Sequence, residues 1–377
     1  MRDPKYIRTI KRSAILLVGS VMFLPFVAAG CGGSGGSATS RVSTIVGLHR
    51  ITTVSTTVDP VNGDNNPYAL AIAPTSFTGD GNPAHVQPGD LVVSNFSNVA
   101  GYQWQGTTIE AIRNGAPVRV YSEVNAQTSG GGTVSTAGPV EIAFGPTGNN
   151  WLANLGPIGT GAQGNVQVID PTGVVLATLN DPKVIGGWGQ AFNGGFGGKN
   201  AFFTVNIATG KVVRINITGS NPPFTYDELT PDLGHASTSA SGTPVGPGGM
   251  VHAADDTLYV ANGFNNTIIA IPNSTTTSTV SSGRVVLAGG PLNQPIMMTQ
   301  NPINGDLIVA NQLNNNIVEL TTAGGIVGTK TVDSAVVNAS TGAGSALFGI
   351  VATTDASGSL LVYFVDDNDN TVKKLSL

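Results

Sequence analysis

The chain has 377 residues, of which only 10% are charged, and its formal net charge is −5. Five basic residues and one acid lie in the first 30 positions, so the rest of the chain is more acidic than the total suggests. An acidic, charge-poor chain without a basic cluster lacks what a phosphate backbone requires, which excludes nucleic acid as a partner. A hydrophobic fraction of 40% is enough for a sizeable core and excludes disorder.

The first element is an address. Met1 to Arg12 is basic, and Ser13 to Gly30 is an 18-residue apolar run interrupted by Gly19, Ser20 and Pro25. A basic head and an apolar middle form a secretory signal. A transmembrane anchor is the competing reading, for which 18 residues is borderline. Cys31, the single cysteine, follows Val27-Ala28-Ala29-Gly30. This stretch resembles the bacterial lipobox, in which small residues precede a cysteine that is acylated and becomes the new N-terminus. Ala28 stands where leucine is usual. The resemblance implies residues 1–30 as signal peptide, palmitate-type lipidation at Cys31 and attachment to a membrane. Gly32 to Ser40 (GGSGGSATS) then reads as a flexible tether, with 31–45 as the tethered segment and 46–377 as the folded domain. Gly32 is not the aspartate of an inner-membrane retention signal, so an extracytoplasmic place in the cell envelope, at the outer membrane where there is one, is expected.

From residue 50 a phrase returns six times: an apolar strand, a turn, a second apolar strand ending on Asn or Asp, and a third strand. The second strands end at Asn95, Asn154, Asn206, Asn262, Asn311 and Asp366, at steps of 59, 52, 56, 49 and 55. Such a period marks a propeller, solenoid or array. The first strands of the units are expected at 67–73, 139–144, 187–192, 248–253, 295–299 and 347–352, rich in small residues that can crowd an axis. Gly, Asn and Asp turns follow, as hairpins require. No segment sustains a helical period. The fold class is therefore all-β, a six-bladed β-propeller with four antiparallel strands per blade. A sandwich or β-helix is the competitor; the units are too long for β-helix rungs. The last unit supplies only three strands, and His49 to Val58 lacks a partner. This strand is expected to complete the sixth blade and close the ring.

The units at 247–271 and 295–320 resemble NHL-repeat and YVTN-type propellers of bacterial surface proteins. The resemblance implies fold more than activity.

No HExxH, P-loop or paired cysteine is present, and residues 46–377 carry no GxSxG nucleophile motif. The repeated Asn/Asp series has two readings: a cation or ligand ring, or a turn bond copied in every blade, which its regularity favours. Sites are expected where the repeat breaks. Glu141 stands on an inner strand where other units have Ala69, Gly189, Gly249, Met297 and Gly349. Trp188, Gln190 and His252 are further candidate channel ligands. Asp366 to Asn370 reads as a solvated turn.

These readings lead to an expectation of a non-catalytic, monomeric, lipid-anchored scaffold that binds a protein or glycan and has no required cofactor. The alternative is an enzyme. Gluconolactonase-like propellers hold a divalent cation such as Ca²⁺, and Asn206, Asn262 and Asp366 with Glu141 could imitate that set, although the family's early Glu-Gly-Pro is replaced by Gly138-Pro139-Val140-Glu141. Streptogramin-lyase-like propellers are a third relative, typically with seven blades against the six counted here.

Overall fold

The computed structural model describes residues 42–123, 138–156, 164–218, 224–236 and 244–377. The residues expected to form the signal peptide, Cys31 and the Gly/Ser stretch lie outside the described residues. Contacts divide the chain into Met1–Ser40 and Arg41–Leu377, and the propeller is the second of these units.

Among the described residues, twenty-four strands form six four-stranded sheets. Blade 1 is β2 (Asn65–Ile72), β3 (Leu91–Ser97), β4 (Thr108–Arg113) and β5 (Ala116–Ser122). Blade 2 is β6 (Pro139–Phe144), β7 (Asn150–Asn154), β8 (Asn165–Ile169) and β9 (Val175–Leu179). Blade 3 is β10 (Gly187–Phe192), β11 (Asn200–Asn206), β12 (Lys211–Ile217) and β13 (Thr225–Glu228). Blade 4 is β14 (Pro247–His252), β15 (Leu258–Asn262), β16 (Thr267–Ile271) and β17 (Arg284–Ala288). Blade 5 is β18 (Pro295–Gln300), β19 (Leu307–Asn311), β20 (Asn316–Leu320) and β21 (Ile326–Thr331). Blade 6 is β22 (Leu347–Thr354), β23 (Leu360–Asp366) and β24 (Thr371–Ser376), completed by β1 (Arg50–Thr56).

The expected closure is present. Strand β1 runs antiparallel to β24, from Arg50 opposite Ser376 to Thr56 opposite Thr371. Both ends of the propeller chain thus share one sheet, and β24 is not left as a bare edge.

The inner strands meet around the axis, each touching its neighbours in the ring. A Cβ on Gly189 would lie 1.9 Å from the Gly248 carbonyl oxygen, and one on Gly249 would lie 2.4 Å from the Met297 Cα. Small residues are therefore required where backbones touch. Every inner strand also slips register against the second strand near its start, as between Pro67 and Leu70 or Leu347 and Ile350. These bulges bend each strand beside the axis. At one end of the axis the core is aromatic. The Tyr68 ring stacks on Phe96 and Phe348, with centroids 4.2 and 4.0 Å away, and meets Trp188 edge-on at 6.0 Å.

The chain is bound to the propeller from Ser43 onward, within the stretch expected as tether. A one-turn helix, α1 (Thr44–Gly47), is capped by Ser43 and buries Ile45. It docks on Glu319 of β20. That carboxylate accepts from Ser43 Oγ (2.7 Å), Thr44 N (2.8 Å), Thr44 Oγ1 (2.6 Å), Ile45 N (3.3 Å), Asn301 Nδ2 (3.0 Å) and Asn304 Nδ2 (3.3 Å).

Candidate functional site

The Asn/Asp strand ends share one face of the ring, the mouth face, and they act mainly as staples. Asn95 Nδ2 donates to the Thr57 carbonyl (2.9 Å), Asn206 to Pro182 (3.1 Å), Asn262 to Leu233 (2.8 Å) and Asn311 to Pro291 (2.8 Å). Each acceptor lies in the segment that leads into that blade, so the amide pins the incoming chain. Several also close their own turn: the Asn206, Asn262 and Asp366 side chains accept from the backbone N–H two residues on. This is the turn reading of the series, with an added bond across the blade junction.

Asn206, Asn262 and Asp366 belong to three different blades. Their oxygens are engaged in these turns, and Asp366 also takes Lys373 Nζ at 2.5 Å. Among the described residues, no group of three or more His, Cys, Asp or Glu could hold a metal ion. The side chains read as a cation set are thus spread over three blades and bonded within the protein, and no chemistry is routed through a metal.

Glu141 and Gln190 do come together, inside the channel. With Leu70, Met250, Met298 and Ile350 they border an internal cavity of ≈ 20 Å³, room for about one water molecule. Glu141 Oε2 and Gln190 Oε1 have no hydrogen-bond partner there. Burial raises the Glu141 carboxyl well above the ordinary glutamate value, because a low-dielectric site favours the neutral form. Trp188, 1% exposed, is part of the aromatic plug. His252 lies towards the far end of its inner strand, with Nε2 3.0 Å from Asp256 Oδ1 and its ring stacked on Phe203. These four residues do not form one open pocket.

The open pocket lies at the channel mouth, over Tyr68 and Phe348. It encloses ≈ 170 Å³ and is lined further by Gln103, Gln312, Thr341, Ser345 and Asp367. Asp367 follows the end of β23, and its backbone N–H is held by the Ala346 carbonyl. Its carboxyl accepts no hydrogen bond among the described residues. Burial, then the neighbouring Asp366 charge, pushes its pKa up to about 7. Gln312 occupies the matching position after β19 and is 1% exposed. Gln294 Nε2 donates to its Oε1, while its own Nε2 has no acceptor. The mouth thus holds a carboxyl without a donor, an amide without an acceptor, and an aromatic floor.

Asp367 was not among the residues singled out from sequence, where it fell within a turn. A signal was present. The residues that follow the six strand ends are Phe96, Leu155, Ile207, Gly263, Gln312 and Asp367. Three are apolar and one is glycine, so the last two break the pattern.

No protein-family model and no curated protein sequence matches the chain. Solved structures do. Virginiamycin B lyase from Staphylococcus aureus is 14% identical with a TM-score of 0.52, over 87% of this chain and 99% of that one. A catalytically inactive variant of that lyase, solved with quinupristin, is 15% identical with a TM-score of 0.52 over the same shares. A streptogramin B lyase structure is 14% identical with a TM-score of 0.50, over 89% and 99%. At this identity the likeness shows the fold. It also corrects the expectation that the chain is not an enzyme. That expectation rested on missing catalytic motifs, and the similar structures are lyases, so this architecture carries catalysis.

Proposed function

We propose that the chain is a propeller enzyme of the lyase type, working at the channel mouth with Asp367 as general base. The observation that carries this reading is the Asp367 carboxyl: it accepts no hydrogen bond among the described residues, is raised to about 7, and shares a pocket with Gln312, whose Nε2 has no acceptor. A base is most effective when its pKa lies near the working pH. A carboxyl in this state can take a proton from a carbon next to a carbonyl. The electron pair moves towards the carbonyl carbon, charge gathers on its oxygen, and a group on the adjacent carbon leaves as a double bond forms. Gln312 Nε2 would donate to that oxygen, the role of a fixed donor in transition-state stabilisation. The aromatic floor of Tyr68 and Phe348 suits a substrate with an apolar face.

The test is turnover of quinupristin and a panel of esters and lactones by the wild type, Asp367→Asn and Gln312→Ala. The reading predicts an unsaturated product, loss of turnover in the first variant and a lower kcat in the second. Undiminished turnover in Asp367→Asn would overturn it.

The N-terminal reading joins this proposal. Lipidation at Cys31 would hold the enzyme on an envelope membrane, outside the cytoplasm, with the repeats belonging to the NHL/YVTN class. Cys31→Ala should release the protein from membranes; retention would point to the apolar run as a spanning helix instead.

A further inference from the structure

A second cavity lies away from the mouth, between blades 3 and 4. It encloses ≈ 680 Å³, the size of a ligand site. Its walls come from the start of β11, the end of β12 and the turn after β16. Asn200 pairs with Ile217 at this end of blade 3, whereas Asn206 pairs with Lys211 at the mouth end. The cleft and the mouth therefore open on opposite faces of the ring.

Lys199 and Arg214 line the cleft, and Asp227, bonded to both Arg214 and the Asn216 amide, sits beside it and balances the guanidinium charge. Arg214 is 6% exposed and rigidly held. Its Nη1 donates to the carbonyls of Ser274 (2.9 Å) and Thr277 (3.1 Å), and its Nη2 to Asp227 Oδ2 (2.6 Å). Its Nε has no acceptor. Leaving a buried guanidinium N–H unpaired is costly, and the missing partner is an oxygen. The remaining walls carry neutral amides and hydroxyls, among them Asn200, Asn216, Thr218 and Thr276.

We propose that this cleft is a binding site for an acidic saccharide, with the ligand carboxylate against Lys199 and Arg214 and its hydroxyls on the threonine and asparagine side chains. The Lys199 charge and the unpaired Arg214 Nε–H favour an anion, and the neutral donors and acceptors match a hydroxylated ring. A bare inorganic anion would leave most of the volume unfilled. Nothing in this proposal depends on the reaction at the mouth.

The experiment is calorimetric titration of the full chain with tetragalacturonate, maltotetraose and inorganic phosphate, together with amide hydrogen exchange. Tetragalacturonate should bind more tightly than the other two, weaken as salt rises, and protect residues 198–201 and 214–218. Lys199→Glu, an exposed change outside the Arg214 network, should weaken binding about fivefold or more, and Lys199→Arg should retain it. Asp367→Asn should bind as the wild type does. Equal binding of the neutral and acidic sugars, phosphate binding as tight as the uronate, protection elsewhere, or indifference to Lys199→Glu would each overturn the proposal.

Discussion

Glu319 and Asp367 are both enclosed acids on a ring of near-identical blades, yet their surroundings are opposite. Glu319 faces six donors from α1 and the turn after β18. Burial opposes its charge, but the hydrogen bonds from Thr44, Ser43 and Ile45 outweigh it and lower its pKa. Asp367 has no such donors, and burial with a like charge raises its pKa instead. The first site is complete within the protein and fixes structure. The second is incomplete, and a substrate can complete it. Unsatisfied polar groups beside a pocket mark function more clearly than polar groups that are merely regular.

This contrast can be broken by mutation. The largest effect should come from deleting residues 42–58, which removes α1 and β1 together. Blade 6 then loses its outer strand, and the ring is left open with β24 as a bare edge. Thermal unfolding should lose cooperativity or fall by well over ~10 °C; a melt like that of the intact chain would refute closure. Next comes Glu319→Ala, which strips the acceptor from six donors and should cost about 3 kcal/mol in denaturant unfolding at pH 7. Because the folded pKa is lowered, this contribution is present above the ordinary glutamate range and fades as pH falls through the folded value. Glu319→Gln should therefore differ from wild type at pH 7 and converge with it in acid.

Asp367→Asn should go the other way. A raised carboxyl pKa means that the folded state resists ionisation, so wild-type stability declines as pH rises from the ordinary aspartate range through about 7. The variant escapes that loss and should be more stable by on the order of 1–2 kcal/mol at pH 8, after discounting for the open side of the pocket. Equal stabilities across that range would remove the distinction from Glu319. The smallest effect should be Glu141→Gln. It keeps the shape at the axis and removes a carboxyl whose neutral form burial favours, so unfolding at pH 7 should shift by less than about 1 kcal/mol.

Most of the fold was legible because each blade repeats the same local grammar. The strand ends from Asn95 to Asp366, the hairpin turns and the spare strand at 49–58 could all be read from period and alternation. The inner-strand bulges could not, since they arise from backbones crowding at Gly189, Gly249 and the axis. Site residues were legible only as departures from the repeat. Glu141 was visible in this way and lies in the channel, but whether a residue faces a one-water cavity or an open pocket depends on neighbouring blades. Asp367 was hidden for the same reason. Its enclosure is made by Tyr68, Phe348 and the 341–345 segment, which are remote from it or set by ring closure. The acidic run around it, Asp366 to Asn370, looks like a solvated turn when read alone.

The central claim is that the mouth holds a carboxyl poised to exchange a proton at neutral pH. Carbon-13 NMR titration of the aspartate carboxyls, with Asp367→Asn used to assign the signal, tests it most directly. The account predicts a midpoint near 7 for Asp367, far above the ordinary aspartate value. A midpoint near 4 would contradict it.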